Sequence, residues 1–264
     1  ESQDQPLRNP SPYKKGTVAE WVDKTLPDLL LRHQETMGAT AGEIDSPPMT
    51  HTLTAADTRI LFSCLTHADH GDAARATGEA PPTSSPPELR STERLEALTR
   101  YVNALPKDGD KRTRLRAHFF ESCASGASDD ASVDPIVICD APVGTGKTTA
   151  VMAHLLRVAT QHSLRRIFVI LPFTNIITQS ARIYREALKL DGEDARDVVA
   201  EIHHRADFDD MRSRKLTALW DAPIIVTTAV AFFETLASAR PSTLRRLQNL
   251  PGSAIFLDEA HAML

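Results

Sequence analysis

The second half of this sequence predicts a doubly wound α/β domain on a parallel sheet, and three observations carry that expectation. From Pro135 onward, short apolar runs alternate with amphipathic helical stretches. The runs are continuously apolar, the mark of strands covered on both faces. A glycine-rich loop joins the first run to the first helical stretch. The expected strands are Ile136 to Cys139, Ile167 to Leu171, Ile224 to Val226 and Ala254 to Leu257, with Val198 to Ile202 a weaker fifth. Between them Val151, Leu155 and Val158 share one helical face, as do Ile176, Ile183 and Leu190.

The preceding part reads as helical and polar. Ile60, Leu61, Cys64 and Leu65 fall at helical spacing, and that helix is expected to end within Thr66 to Asp72. Pro81, Pro82, Pro86 and Pro87 make Glu79 to Glu88 a loop, because proline removes backbone donors and breaks helix. A second helix is expected over Thr92 to Ala104, and a flexible connection over Ser125 to Asp134. There is no internal repeat.

Composition narrows the class. In 264 residues, 41% are hydrophobic and 25% charged, ordinary for a globular protein. A net charge of -5 excludes a protein that coats nucleic acid by bulk positive charge, so any strand binding is local. Three basic runs offer themselves: Lys111, Arg112, Arg114 and Arg116; Arg212, Arg214 and Lys215; and Arg240, Arg245 and Arg246. Each is also readable as a solvated helix face. Cys64, Cys123 and Cys139 lack CxxC spacing, which fits a reducing cytoplasm. No apolar run of membrane-spanning length exists, so no membrane partner is expected. The chain lacks an initiator Met and stops at Leu264, so both ends are expected to be cuts.

Two motifs carry chemistry. Ala141-Pro142-Val143-Gly144-Thr145-Gly146-Lys147-Thr148-Thr149 stands between an apolar run and an amphipathic helix. Glycines let the backbone wrap phosphate oxygens, and the helix N-terminus adds partial positive charge. Lys147 is expected to reach the β- and γ-phosphates of ATP, and Thr148 to place a hydroxyl on Mg2+. The general pattern has glycine where this chain has Ala141, a variant that helicases accept. Asp258-Glu259-Ala260-His261 ends the last apolar run, where the carboxyl ends of parallel strands form a ligand crevice. Asp258 suits the magnesium and Glu259 the attacking water, whereas His261 either couples the site to a bound strand or caps the turn.

Leu171-Pro172-Phe173-Thr174-Asn175 and Val226-Thr227-Thr228-Ala229-Val230 also follow expected strands. Thr174, Asn175, Thr227 and Thr228 are either helix caps or ligands for the phosphates of a nucleic-acid strand. The order of the four segments resembles motifs I, Ia, Ib and II of superfamily 2 helicases. That resemblance covers about the last half of the chain and implies a RecA-like P-loop domain. Val230-Ala231-Phe232-Phe233-Glu234-Thr235-Leu236, Arg240-Pro241-Ser242, Leu244-Arg245-Arg246-Leu247-Gln248-Asn249-Leu250 and Asn175-Ile176-Ile177-Thr178-Gln179-Ser180-Ala181 resemble, more narrowly, the CRISPR-associated helicase-nuclease of type I interference systems. Leu61-Phe62-Ser63-Cys64-Leu65 with Ala68-Asp69-His70 is similar to the last segment of that family's HD nuclease domain, where the Asp binds metal.

This resemblance implies an ATP-driven translocase on single-stranded DNA, working with a CRISPR RNA-guided surveillance complex. It implies a divalent transition metal in the complete HD site, with Asp69 one ligand. The sequence contains no His-Asp dipeptide, so a complete nuclease site is not expected here. Residues 1–105 are then the helical end of an HD-type domain with its linker, and 106–264 the first motor domain, incomplete after motif II. Alone, the chain is expected to hydrolyse ATP poorly. The alternatives are another superfamily 2 motor, such as a restriction-type translocase, or a nucleotide-binding scaffold without catalysis, against which Glu259 argues.

Overall fold

A computed structural model describes residues 54–76, 86–106, 109–126, 136–202 and 219–260. At its centre, four parallel strands run β1 (Arg166–Leu171), β2 (Val199–Ile202), β3 (Ile224–Thr228) and β4 (Ser253–Leu257) in chain order and β2-β3-β1-β4 in space. β1 pairs with both β3 and β4, with Val169 opposite Val226 on one side and Phe256 on the other.

Alternation along the central strands sorts side chains to two cores. Ile167, Val169 and Leu171 of β1 join Ile224 and Val226 under the larger one. Phe168, Ile170 and Ile225 point the other way, where Phe168, Trp220 and Phe232 cluster with ring centroids 5.3 to 6.4 Å apart. Burial on both faces is why these runs read as continuously apolar.

Helices close the two faces. α1 spans Ala55–Ala76, α2 Ser91–Ala104, α3 Lys111–Ser125, α4 Lys147–Gln161, α5 Thr174–Ala187, α6 Ala195–Val198, α7 Ala229–Ala237 and α8 Pro241–Leu244. α2 and α3 pack on α4, and residues 54–264 form one compact unit. The expected α/β fold with a parallel RecA-like sheet preceded by helices is present.

Three expectations are corrected. Ile136 to Cys139 is not a strand: Ile136 is 77% and Ile138 88% exposed, and β4 pairs only with β1 among the described strands. An apolar run states what a segment could bury, whereas a strand also needs a neighbour in register. The buried stripe of α5 is Ile177, Ala181 and Tyr184, one residue on from the expected Ile176 and Ile183, and Leu190 lies beyond the helix. α1 continues past the expected stop to Ala76 and buries the wrong face for an apolar reading, since Leu61, Phe62 and Leu65 are exposed while Ser63 is fully buried.

The seat of α1 explains that choice. The Ser63 hydroxyl donates to the Leu244 carbonyl at 2.6 Å and accepts from the Gln248 N–H at 2.9 Å, while Arg59 donates to the Ser238 carbonyl at 2.8 Å. The small polar residue satisfies backbone groups at a helix end that a leucine would have stranded. The second basic run, residues 79–85 of the expected proline-rich loop, most of the 125–134 connection and His261 lie outside the described residues.

Candidate nucleotide site

The glycine-rich loop forms a tight turn that ends in α4. Gly144 and Gly146 take φ of 82° and 80°, backbone that side chains with a Cβ rarely adopt, and Gly146 is the N-cap. The Thr145 hydroxyl donates to the Pro142 carbonyl at 2.7 Å, and the Thr149 hydroxyl to the Gly146 carbonyl at 3.1 Å. These bonds hold the loop from its own side chains. Lys147 and Thr148 open the helix and remain half-buried, Pro142 and Val143 are exposed, and Ala141 lies half-buried.

The acidic motif arrives from the neighbouring strand. The Asp258 N–H donates to the Ile170 carbonyl at 3.0 Å, which carries the parallel ladder one residue beyond β4. Asp258 Oδ1 accepts from the Glu259 N–H at 3.1 Å, and Glu259 takes φ of 51°. A non-glycine residue in the left-handed region costs about 1 kcal/mol or more, so the turn that presents Glu259 is held against its own preference.

The Cys139 thiol feels charges from both the loop and the acidic turn. Burial pushes the Cys139 thiol up, the Lys147 charge pulls it down, and the carboxylates of Asp140 and Asp258 push it up again. Tyr184 of α5, fully buried, donates to the Thr148 carbonyl at 3.3 Å. Burial first, and the Asp258 charge second, hold its phenol well above the ordinary value. Tyr184 therefore touches the start of α4 and senses the end of β4. No motif marks it in the sequence; only its place on the α5 stripe could have suggested it.

The four expected strand contacts divide. Asn175 is exposed and Thr174 half-buried at the start of α5, whose N-cap is Phe173. Asn175 Oδ1 accepts from the Ile176 N–H at 3.0 Å. Thr228 is the N-cap of α7, its hydroxyl accepting from the Ala231 N–H at 3.1 Å. Thr227 is fully buried and its hydroxyl donates to the Ile202 carbonyl at 3.3 Å, so it is corrected out of the surface set. The third basic run is also partly structural, with Arg246 stacked 5.7 Å from the Trp220 ring centroid.

Asp69 sits exposed inside α1, not at a helix end, beside half-buried His67 and exposed His70. No group of three or more His, Cys, Asp or Glu side chains that could hold a metal exists among the described residues. These residues alone do not fit a transition-metal centre. Among the described residues, no helix is long and apolar enough to cross a membrane.

Comparison with known proteins agrees with the geometry at the level of the family. A model of the DEAD/DEAH box helicase family matches residues 128–264, just over half of the chain and the whole span from the loop to the acidic turn. No curated protein matches the sequence. A domain of this kind supports ATP-dependent helicase or translocase activity, with ATP and magnesium used and nucleic acid bound. With the order of its motifs, its parallel sheet and this match in agreement, the chain belongs to the DEAD/DEAH box helicase family.

Proposed function

We propose that this chain supplies the ATP-binding motor domain of a translocase acting on single-stranded DNA, with residues 106–264 forming its first RecA-like domain. What supports this reading is the glycine-rich turn that opens α4 with Gly146 as its N-cap, the bond from Tyr184 to the Thr148 carbonyl, and the acidic turn that follows β4. Lys147 neutralises the β- and γ-phosphates, while the amides from Gly144 to Thr149 cradle them. The Thr148 hydroxyl and the Asp258 carboxylate are oxygen donors suited to magnesium, which when bound offsets charge on the phosphates. Glu259 orients the attacking water and takes its proton.

Asn175, Thr174 and Thr228 are polar groups at the starts of α5 and α7, suited to backbone phosphates of a strand read without regard to sequence. The finer assignment, to a CRISPR type I helicase-nuclease recruited by an RNA-guided surveillance complex, is supported by the strings around Val230 to Leu250 and Asn175 to Ala181. No nuclease step follows from Asp69 alone.

The test is nucleotide binding and turnover in the full-length protein, with and without an oligonucleotide. Lys147→Ala should weaken ATP binding by about 10- to 100-fold, the loss of charge-assisted hydrogen bonds. Glu259→Gln should retain binding and lower turnover by about 10²- to 10⁴-fold. Unchanged ATP affinity in Lys147→Ala would overturn the assignment.

A further inference from the structure

The first two turns of α3 carry Lys111, Arg112, Arg114 and Arg116, and Asp110 caps the helix by accepting from the Thr113 N–H at 2.6 Å. Arg112 and Arg116 stand one turn apart and so share a face. Both meet the tip of the glycine-rich loop. Arg116 Nε donates to the Gly144 carbonyl at 2.8 Å, and the Arg112 guanidinium fills the space a Cβ on Gly144 would need. The Arg116 Cγ lies 3.9 Å from where a Cβ on Gly146 would stand.

A merely solvated basic face would turn its guanidinium groups to water. Here one is tied to a loop carbonyl and the other lies against the adjoining Cα. Both side chains are exposed, and among the described residues neither has a carboxylate within ion-pair distance. Two positive charges, offset in part by the Asp110 carboxylate that feels them both, therefore stand at the tip of the loop that leads into Lys147. Gly144 takes φ of 82°, which favours glycine, and the Arg112 guanidinium lies in the space beside its Cα.

We infer that Arg112 and Arg116 are positioning residues for the triphosphate. Arg116 holds the loop tip by the outward carbonyl of Gly144, which keeps the neighbouring amides turned toward the phosphates. Together the two cations raise the local potential that draws in a nucleoside triphosphate. The inference rests on the proposal that this loop binds ATP, and it names a source of phosphate affinity upstream of the loop itself. Chemically, it asks for a ligand with more negative charge at the loop tip, ATP over ADP.

The experiment is titration of ATP and ADP into the full-length protein at low and high salt, with thermal melting of each variant alongside. Arg116→Gln should weaken ATP about tenfold, the worth of a hydrogen bond from a charged donor, and ADP less. Arg116→Lys should recover part of that loss, because charge is kept and the directed Nε bond is not. The ATP deficit should shrink as salt screens the charge. Gly144→Ala should bind poorly because alanine resists φ of 82°, and Arg112→Ala in the wild-type loop should weaken ATP more than ADP. ATP affinity unchanged in Arg116→Gln, or an equal loss for ATP and ADP that Arg116→Lys does not relieve, would overturn the inference. Lys147→Ala separates the two claims: if it weakens ATP while Arg116→Gln does not, only the positioning role fails.

Discussion

The Tyr184 hydroxyl donates to the carbonyl of Thr148 across 3.3 Å, joining the third turn of α5 to the first turn of α4. Because the phenol is buried beside the Asp258 charge, its protonated form is favoured in the folded state. Below pH 10, its ordinary value, folded and unfolded chains both hold the proton, and no pH-dependent term arises. Above that value the unfolded chain releases it while the folded chain does not, so stability falls with rising pH. Urea unfolding at pH 9 and pH 11 should show a steeper loss for wild type than for Tyr184→Phe. At pH 7 the same substitution should cost about 0.5 to 1.5 kcal/mol, the net worth of one hydrogen bond. Parallel losses with pH in the two proteins would remove this role.

Arg94 of α2 is fully buried, and burial pulls its pKa down against the opposing pull of Glu193. Its guanidinium donates to the carbonyls of Leu89 at 2.7 Å and Leu188 at 2.8 Å, and pairs with Glu193 at 2.9 Å. Arg94→Ala leaves the carbonyls of Leu89 and Leu188 without this donor, while Glu193 keeps Arg90 at 3.0 Å, and should cost about 2 to 4 kcal/mol. Arg94→Lys should recover little, since one ammonium cannot span a planar fork. Chemical denaturation measures both, and a cost below 1 kcal/mol for the alanine would mean that α2 is not pinned this way.

Ser63→Ala should cost about 1 to 3 kcal/mol, because the carbonyl of Leu244 and the N–H of Gln248 lose their partner in a buried place. Faster amide hydrogen exchange over residues 244–250 is the local signature. Unaltered exchange there would separate α1 from that segment.

Glu259→Gly should leave stability nearly unchanged, since glycine accepts φ of 51° while adding freedom to the unfolded chain. Glu259→Val should cost at least about 1 kcal/mol, because a β-branched residue resists the left-handed region. Both should end hydrolysis. Thermal melting and a phosphate-release assay together decide it, and a stable valine variant would show that the turn relaxes.

Substitution in the two apolar runs should separate them. Phe168→Ala removes a ring buried against Trp220 and Phe232 and should cost about 3 to 5 kcal/mol. Ile138→Ala removes a side chain that is 88% exposed and should stay within about 0.5 kcal/mol. A large cost at Ile138 would mean that the run pairs with another segment.

By itself, the sequence determined the parallel sheet, the loop and the acidic turn. Ile167 to Leu171 and Ile224 to Val226 are apolar at every position because both faces are covered, and Gly144 and Gly146 answer to backbone angles that few other residues tolerate. Such signals are local, so one stretch of chain displays them. Tertiary structure alone decided which apolar run found a partner, which face of α1 docked, that Thr227 turned inward, and that Arg112, Arg116 and Tyr184 gathered at the loop. The reason is physical: Ile136 to Cys139 is as apolar as a strand, and Leu61 and Phe62 are more apolar than Ser63. Strand pairing depends on a neighbour from another part of the chain, and the docking of α1 on hydrogen-bond partners more than a hundred residues away.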